Sequence, residues 1–278
     1  MSSRNTAEKV AEDYYDSTDA DTFYERVWGG EDIHIGLYDE GLSIHDASRK
    51  TVELMATTLL TLNNDSRVLD LGSGYGGSAR YLAKKYGCQV TCLNLSDVQN
   101  ARNRSLCQEQ GVSDKVSVLH GSFESIPCGA EEFDIVWSQD AFLHSGHKKT
   151  VLEEVNRVLK PGGELIFTDP MQSDDCPADV LQPVYDRLNL DSLGSFGFYK
   201  KHLEISGLTE ENALPMTSQL RTHYSEVANE LKGRYDQLTE TISAEYMDRM
   251  LLGLQNWVSA ADSGYLAWGV LHYVKPDV

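Results

Sequence analysis

Positive charge is scarce in this chain: 24 Lys and Arg stand against 43 Asp and Glu in 278 residues, a formal net charge of -19. Such a balance repels phosphate backbones and anionic lipid, which argues against nucleic acid and membranes as partners. The same excess keeps a protein dispersed in concentrated salt, a property that ordinary acidic cytosolic enzymes share. Long apolar runs are missing too. None approaches the length of a membrane span, and the opening MSSRNTAEKVAEDYYD is polar and acidic, unlike a signal or transit peptide, so a cytoplasmic protein is expected. The five cysteines, Cys88, Cys92, Cys107, Cys128 and Cys176, are scattered, odd in number and without a C-x-x-C pair. Neither a disulfide framework nor a metal site is expected from them.

Internal repeats and low-complexity linkers are also absent, and the length suits one domain, 1–278, better than two equal ones. What is present is a strand–helix alternation. Apolar residues at helical spacing run from Asp46 to Leu62, and RVLDLG follows as a buried strand. CQVTCLNL, KVSVLHG, FDIVWSQ and GELIFTD read as four further strands. A helix stopped by Gly87, one capped by Ser96 and one over Lys149 to Lys160 separate them. The alternation predicts a doubly wound, mostly parallel α/β sheet with its ligand at the carboxyl ends of the strands. A cofactor core is placed at 63–170. Past Pro170 a helix near Tyr199 to Ser206, a strand at SQLRTHY, a long helix from Ser225 to about Trp257 and a last strand YLAWGVLHYV are expected. Segments 1–45 and 171–262 would then form a lid over the acceptor side.

VLDLGSGYGGSARYLAKKYG carries Gly72, Gly74 and Gly77 in the spacing G-x-G-x-x-G between a strand and a helix. Alone, that spacing serves nicotinamide oxidoreductases and adenosylmethionine enzymes alike. LKPGGELIF, Leu159 to Phe167, adds a second element, and the pair resembles the class I S-adenosylmethionine-dependent methyltransferases. The resemblance implies a Rossmann-like seven-stranded sheet and S-adenosyl-L-methionine as cofactor. It implies a methionine-side loop at Gly72 and Gly74 and an acidic partner at Asp70. Asn94 stands where the family usually has the acid that holds the ribose, with Leu95 and Gln99 beside it. Ser122 replaces the acid that often meets the adenine amine, and Phe123 can cover the ring. The chain departs from the family at Asn94 and Ser122.

WSQDAFLHS leaves the fourth strand at its ligand-facing end, and Asp140 and His144 are four residues apart, so a helical turn would set both on one face. With the N-terminal YYDSTDADTFYERVWGGEDIHIGLY it resembles the small-amine N-methyltransferases, and VTCLNLSDVQNARNR most resembles their sarcosine/dimethylglycine branch. That resemblance implies that Ile33, His34 and Gln139 lie by the cofactor and that Asp140 and His144 face the acceptor. Tyr14, Tyr15, Tyr24 and Trp28 would wall the pocket; Tyr14 and Tyr15 are alternatives for the residue facing the acceptor, Tyr15 being taken as catalytic. The implied activity converts sarcosine or dimethylglycine to glycine betaine, a compatible solute suited to an acidic protein.

The acceptor amine must lose its proton before attack, and His144 or Asp140 can take it. A quaternary product favours aromatic faces such as Tyr14, Tyr15, Trp28 and Trp257. An acceptor carboxylate calls for a guanidinium, and Arg187 and Arg221 are the candidates in the late region, with His223 and Tyr224 beside the second. Competing readings are a phosphoethanolamine or other small-amine methyltransferase, a cofactor-binding module without turnover and, more distantly, a nicotinamide oxidoreductase. A monomer or homodimer is expected.

Overall fold

The computed structural model describes residues 17–188, 190 and 192–277. Ahead of the sheet lies α1 (Thr18–Phe23), continued by a π turn over Tyr24–Trp28, and then α2 (Ile44–Thr58), which starts where the Ser43 hydroxyl accepts from the Asp46 amide. The core runs β1 (Arg67–Leu71), α3 (Gly77–Tyr86), β2 (Gln89–Asn94), α4 (Asp97–Glu109), β3 (Val116–His120), β4 (Phe133–Gln139), α5 (Lys148–Val158) and β5 (Leu159–Thr168). Two boundaries fall where the side chains predict them. Gly87 takes φ +75° and ends α3, and the Ser96 hydroxyl accepts from the Gln99 amide to start α4.

The remainder comprises β6 (Met171–Gln172), α6 (Gln182–Leu188), α7 (Phe196–Ile205), β7 (Thr209–Pro215), α8 (Thr217–Gly233), α9 (Tyr235–Leu238), α10 (Ala244–Asp262), β8 (Leu266–Ala267) and β9 (Gly269–Val274). The seven-stranded sheet has the order β3-β2-β1-β4-β5-β9-β7. Strands β3, β2, β1, β4 and β5 are parallel, and β9 runs antiparallel to both β5 and β7. Strand order reverses between β1 and β4, which opens a crevice beyond their carboxyl ends.

Alternate residues of each strand feed opposite faces, so the sheet is covered twice. Leu69, Leu71, Val136 and Phe167 pack against Val151 and Val155 of α5 and Tyr199 and Leu203 of α7. Val68, Ile135, Trp137 and Ile166 pack against Val52 and Met55 of α2 and Ala79 and Leu82 of α3. A third cluster joins Phe23 and Trp28 to Leu220, Tyr224 and Leu231 of α8 and Leu254 and Trp257 of α10, so the N-terminal segment and the late helices share one core.

The late region departs from expectation. SQLRTHY is not a strand but the first half of α8, and the long helix is divided into α8, α9 and α10. Leu220, His223, Tyr224, Val227 and Leu231 are buried at three- and four-residue spacing, and that tertiary face overrides the β preference of Thr and Tyr. The strand is instead TEENALP, whose polar sequence suits a sheet edge paired on one side with β9. Among the described residues no helix is long and apolar enough to cross a membrane, and no group of three or more His, Cys, Asp or Glu is placed to hold a metal ion.

Candidate active site

The crevice at the ends of β1, β2 and β4 opens as a groove, where open α/β sheets hold their ligands. Ile33, Gly72, Gly74, Asn94, Leu95, Gln99, Phe123, Gln139, Asp140 and His144, all expected from sequence, line it together. Ser96, Gly121 and Ala141 complete the wall. Gly72 and Gly74 have φ of +71° and +51°, and a Cβ on Gly72 would lie 2.4 Å from that of Ala141. Only glycine lets the loop turn there while the β4 end packs against it. Asn94 Nδ2 donates to Gln99 Oε1 at 2.9 Å, which leaves Asn94 Oδ1 as acceptor and Gln99 Nε2 as donor for a hydroxyl-bearing ligand. Ser122 is not in the wall. Its hydroxyl accepts from the Glu124 amide at 3.0 Å and serves the turn, a pairing within two residues that the motif comparison could not reveal.

Beyond the glycine loop the groove continues into a polar recess formed by Glu31, Asp32, His34, Asp70, Ser73 and Ser78. Asp32 and Asp70 are 1% and 3% exposed, and Arg49 meets Asp32 at 2.6 Å. Burial, with Asp32 nearby, pushes the Asp70 carboxyl up to about 7. Burial also holds the His34 imidazole below its ordinary value, keeping it neutral although Asp32 Oδ1 lies 3.9 Å from Nε2. The recess therefore carries more buried acid than base, a setting that favours a cation. A further atom points to a ligand: Gln139 Nε2 is buried with no hydrogen-bond partner among the described residues. Gln139 Oε1 is already taken by Ser78 and by Trp137 Nε1.

Past the end of β4 the Asp140–His144 relation differs from a helical turn. Asp140 is left-handed at φ +50°, and only Phe142–His144 forms a short 3₁₀ turn. The two side chains reach one groove because the chain reverses at Asp140, not because they share a helix face. Asp140 Oδ2 accepts from the Ile35 amide at 2.6 Å and Oδ1 from Trp268 Nε1 at 2.8 Å, tying the N-terminal segment to the last strand region across the groove. Burial pushes its carboxyl up, against the opposing pull of these donors.

The aromatic candidates lie behind the groove, not in its wall. Tyr24, Trp28, Tyr224 and Trp257 are buried, with Trp28 5.3 Å from Tyr24 and 5.9 Å from Tyr224, and Tyr224 5.0 Å from Trp257. His223 joins this stack 5.0 Å from Trp28, and its Nδ1 accepts from the Gly36 amide at 3.2 Å. Leu143 belongs to the same cluster, and Ile33 of the groove wall packs against it. Arg221 sits on the outer side of α8, half-exposed and paired with Asp262 at 3.0 Å, away from the lining. Tyr14 and Tyr15 lie outside the described residues; Arg187 falls in α6, and its side chain is likewise outside them. Sequence reasoning missed Asp32, Arg49 and Trp268. Asp32 and Arg49 belong to ordinary surface-like strings, and Trp268 follows a strand more than 120 residues from its partner.

Residues 69–167 match the methyltransferase domain family. A sarcosine/dimethylglycine N-methyltransferase of Aphanothece halophytica is 52% identical over 99% of this chain and 100% of its own length, and one of Halorhodospira halochloris is 51% identical over 96% of each. The crystal structure of a Galdieria sulphuraria protein assigned to the sarcosine dimethylglycine methyltransferases superposes with a TM-score of 0.90 at 41% identity, covering 95% of this chain and 100% of that one. The groove suits the cofactor such relatives imply, with glycines for close backbone approach, paired amides for hydroxyls, an aromatic face and an acidic recess for an ammonium group. The chain belongs to the S-adenosylmethionine-dependent methyltransferases, in the sarcosine/dimethylglycine N-methyltransferase family.

Proposed function

We propose that the protein methylates the nitrogen of sarcosine and dimethylglycine, ending at glycine betaine. The observation that carries this reading is that the glycine loop, Asn94, Asp140 and His144 line one groove. S-adenosylmethionine, when bound, supplies a methyl group on a sulfonium, open to in-line displacement. Gly72 and Gly74 would give its amino-acid end backbone contact, Asp70 would meet its ammonium, Asn94 and Gln99 would hold hydroxyls, and Phe123 would cover a ring. Ile33 and Gln139 close the groove around it. Orientation then supplies most of the rate, because displacement at the sulfonium needs no acid for the leaving group.

The acceptor amine arrives largely protonated, and a protonated nitrogen has no lone pair to attack. His144, in the groove wall, takes that proton; Asp140 orients the amine while it latches Ile35 and Trp268. Either Tyr14 or Tyr15 remains the acceptor-side tyrosine of this reading. The aromatic stack of Trp28, Tyr224 and Trp257 lends a cation-tolerant backing. Since Arg221 is engaged by Asp262, Arg187 is the proposed partner of the acceptor carboxylate. Of the two expected lid segments, residues 17–45 share a core with α8 and α10 on this side, and residues 1–16 lie outside the described residues. The reaction is placed in the cytoplasm, in keeping with five free cysteines, by a monomer or homodimer.

Product analysis after incubation with S-adenosylmethionine and glycine, sarcosine, dimethylglycine or phosphoethanolamine tests the proposal. Methylated sarcosine and betaine are expected; cofactor binding without product, or methylation of phosphoethanolamine alone, would overturn it. His144→Ala should lower turnover at least a hundredfold at unchanged cofactor affinity.

A further inference from the structure

The turn that carries His144 is held by buried charges that the reaction itself does not need. Leu143, just before His144, has both backbone groups captured: its N–H donates to Asp169 Oδ1 at 2.9 Å, and its carbonyl accepts from Lys148 Nζ at 3.2 Å. Ser145, just after, gives its carbonyl to the same ammonium at 2.8 Å and its hydroxyl to Glu124 Oε1 at 2.6 Å. Lys148 also reaches the Ser192 carbonyl at 2.9 Å, and the second oxygen of Asp169 accepts from the Tyr199 hydroxyl at 2.6 Å. Asp169 and Tyr199 are fully buried, and Lys148 is 6% exposed.

This arrangement is costly as mere packing. Lys148 stands in the first turn of α5, where the helix dipole disfavours a cation, and its ammonium is withdrawn from water. An apolar residue would fill that place at less expense, but it could not grip carbonyls on both sides of one residue. We propose that Lys148 and Asp169 are positioning residues that clamp residues 143 and 145 and so fix the His144 imidazole in the groove, with Ser192 linking the clamp to the acceptor-side segment. Tyr199 holds Asp169 in the rotamer that reaches Leu143. The inference rests on the reading of His144 as proton acceptor.

The test combines steady-state kinetics, calorimetric affinity for S-adenosylmethionine and hydrogen–deuterium exchange. Lys148→Met and Asp169→Ala should each lower kcat about tenfold or more, leave cofactor KM and Kd within about twofold, and speed exchange of amides 142–146. Asp169→Asn, which keeps an oxygen for Leu143 and a polar partner for Tyr199, should restore kcat to within about threefold. If Lys148→Met does not fold, Tyr199→Phe carries the test with a smaller kcat loss at unchanged KM. A fall in kcat matched by a fall in cofactor affinity, faster exchange with native kcat, or no rescue by Asn would overturn the inference. Native turnover in His144→Ala would instead overturn the proton-acceptor reading; impaired His144→Ala beside native Lys148→Met would overturn only the clamp.

Discussion

Replacing Asp70 with Asn should stabilise the fold and weaken the cofactor at the same time. Asp70 ends β1 at 3% exposure, and burial, reinforced by Asp32, lifts its carboxyl from 3.8 to about 7. A carboxyl whose folded pKa lies above its unfolded one favours folding fully below the unfolded value and loses that contribution as pH rises through the folded value. Above pH 7 the native state therefore holds an unfavourable buried charge. At about 1.36 kcal/mol per unit the ceiling is about 4 kcal/mol at pH 8, falling to roughly 1.6 kcal/mol at pH 5. Asn keeps the shape and removes the charge, so Asp70→Asn should unfold in more urea than the native protein at pH 8, and the gap should narrow at pH 5. Calorimetry should give the opposite sign for the ligand: native affinity for S-adenosylmethionine rising through pH 7 as a proton leaves Asp70, and Asp70→Asn binding at least about tenfold more weakly with the pH dependence reduced. A variant no more stable than native at pH 8, or one that binds cofactor as tightly, would refute the account of the recess as a site held charged for a cation.

Other expectations follow from single contacts. Gly74→Val should abolish cofactor binding in a folded protein, since the φ of +51° disfavours a side chain and a Cβ there already meets Ile33 Cδ1 at 3.3 Å; calorimetry on a variant with native circular dichroism checks it. Glu164, buried at the far end of β5, accepts from the Leu60 and Thr61 amides and from His272 Nε2, and Glu164→Ala should cost about 3 kcal/mol by chemical denaturation. These donors and His272 outweigh the burial that opposes them and hold its carboxyl below 4.5, so its contribution is present above pH 4.5 and is lost as pH falls through the lowered value; Glu164→Gln should flatten that acidic limb. Arg221→Ala, removing a solvent-facing pair, should change stability by less than about 1 kcal/mol and leave the KM for dimethylglycine within about twofold, whereas Arg187→Ala should raise that KM about tenfold or more with cofactor affinity intact.

Local chemistry made the cofactor half of the molecule legible in the sequence. Buried strands are apolar runs, Ser96 and Gly87 cap helices through contacts within a few residues, and glycines at positions 72 and 74 answer to a backbone that turns left-handed beside the groove. The groove residues from Asn94 to His144 were legible for the same reason, because parallel strands deliver successive loops to one edge. The late region was not. SQLRTHY alternates like a strand and became helix because Leu220, Tyr224 and Leu231 found a face formed by α10 and the N-terminal segment. Nor could spacing reveal that Asp140 turns left-handed, since its carboxylate is held by Ile35 and Trp268, 105 and 128 residues away. Asp32 and Lys148 read as ordinary surface charges until folding buries one beside Arg49 and Asp70 and the other among three carbonyls. Partners within a turn of chain are written in the residues themselves; the partner of a buried charge is chosen by whichever distant segment the tertiary packing brings within reach.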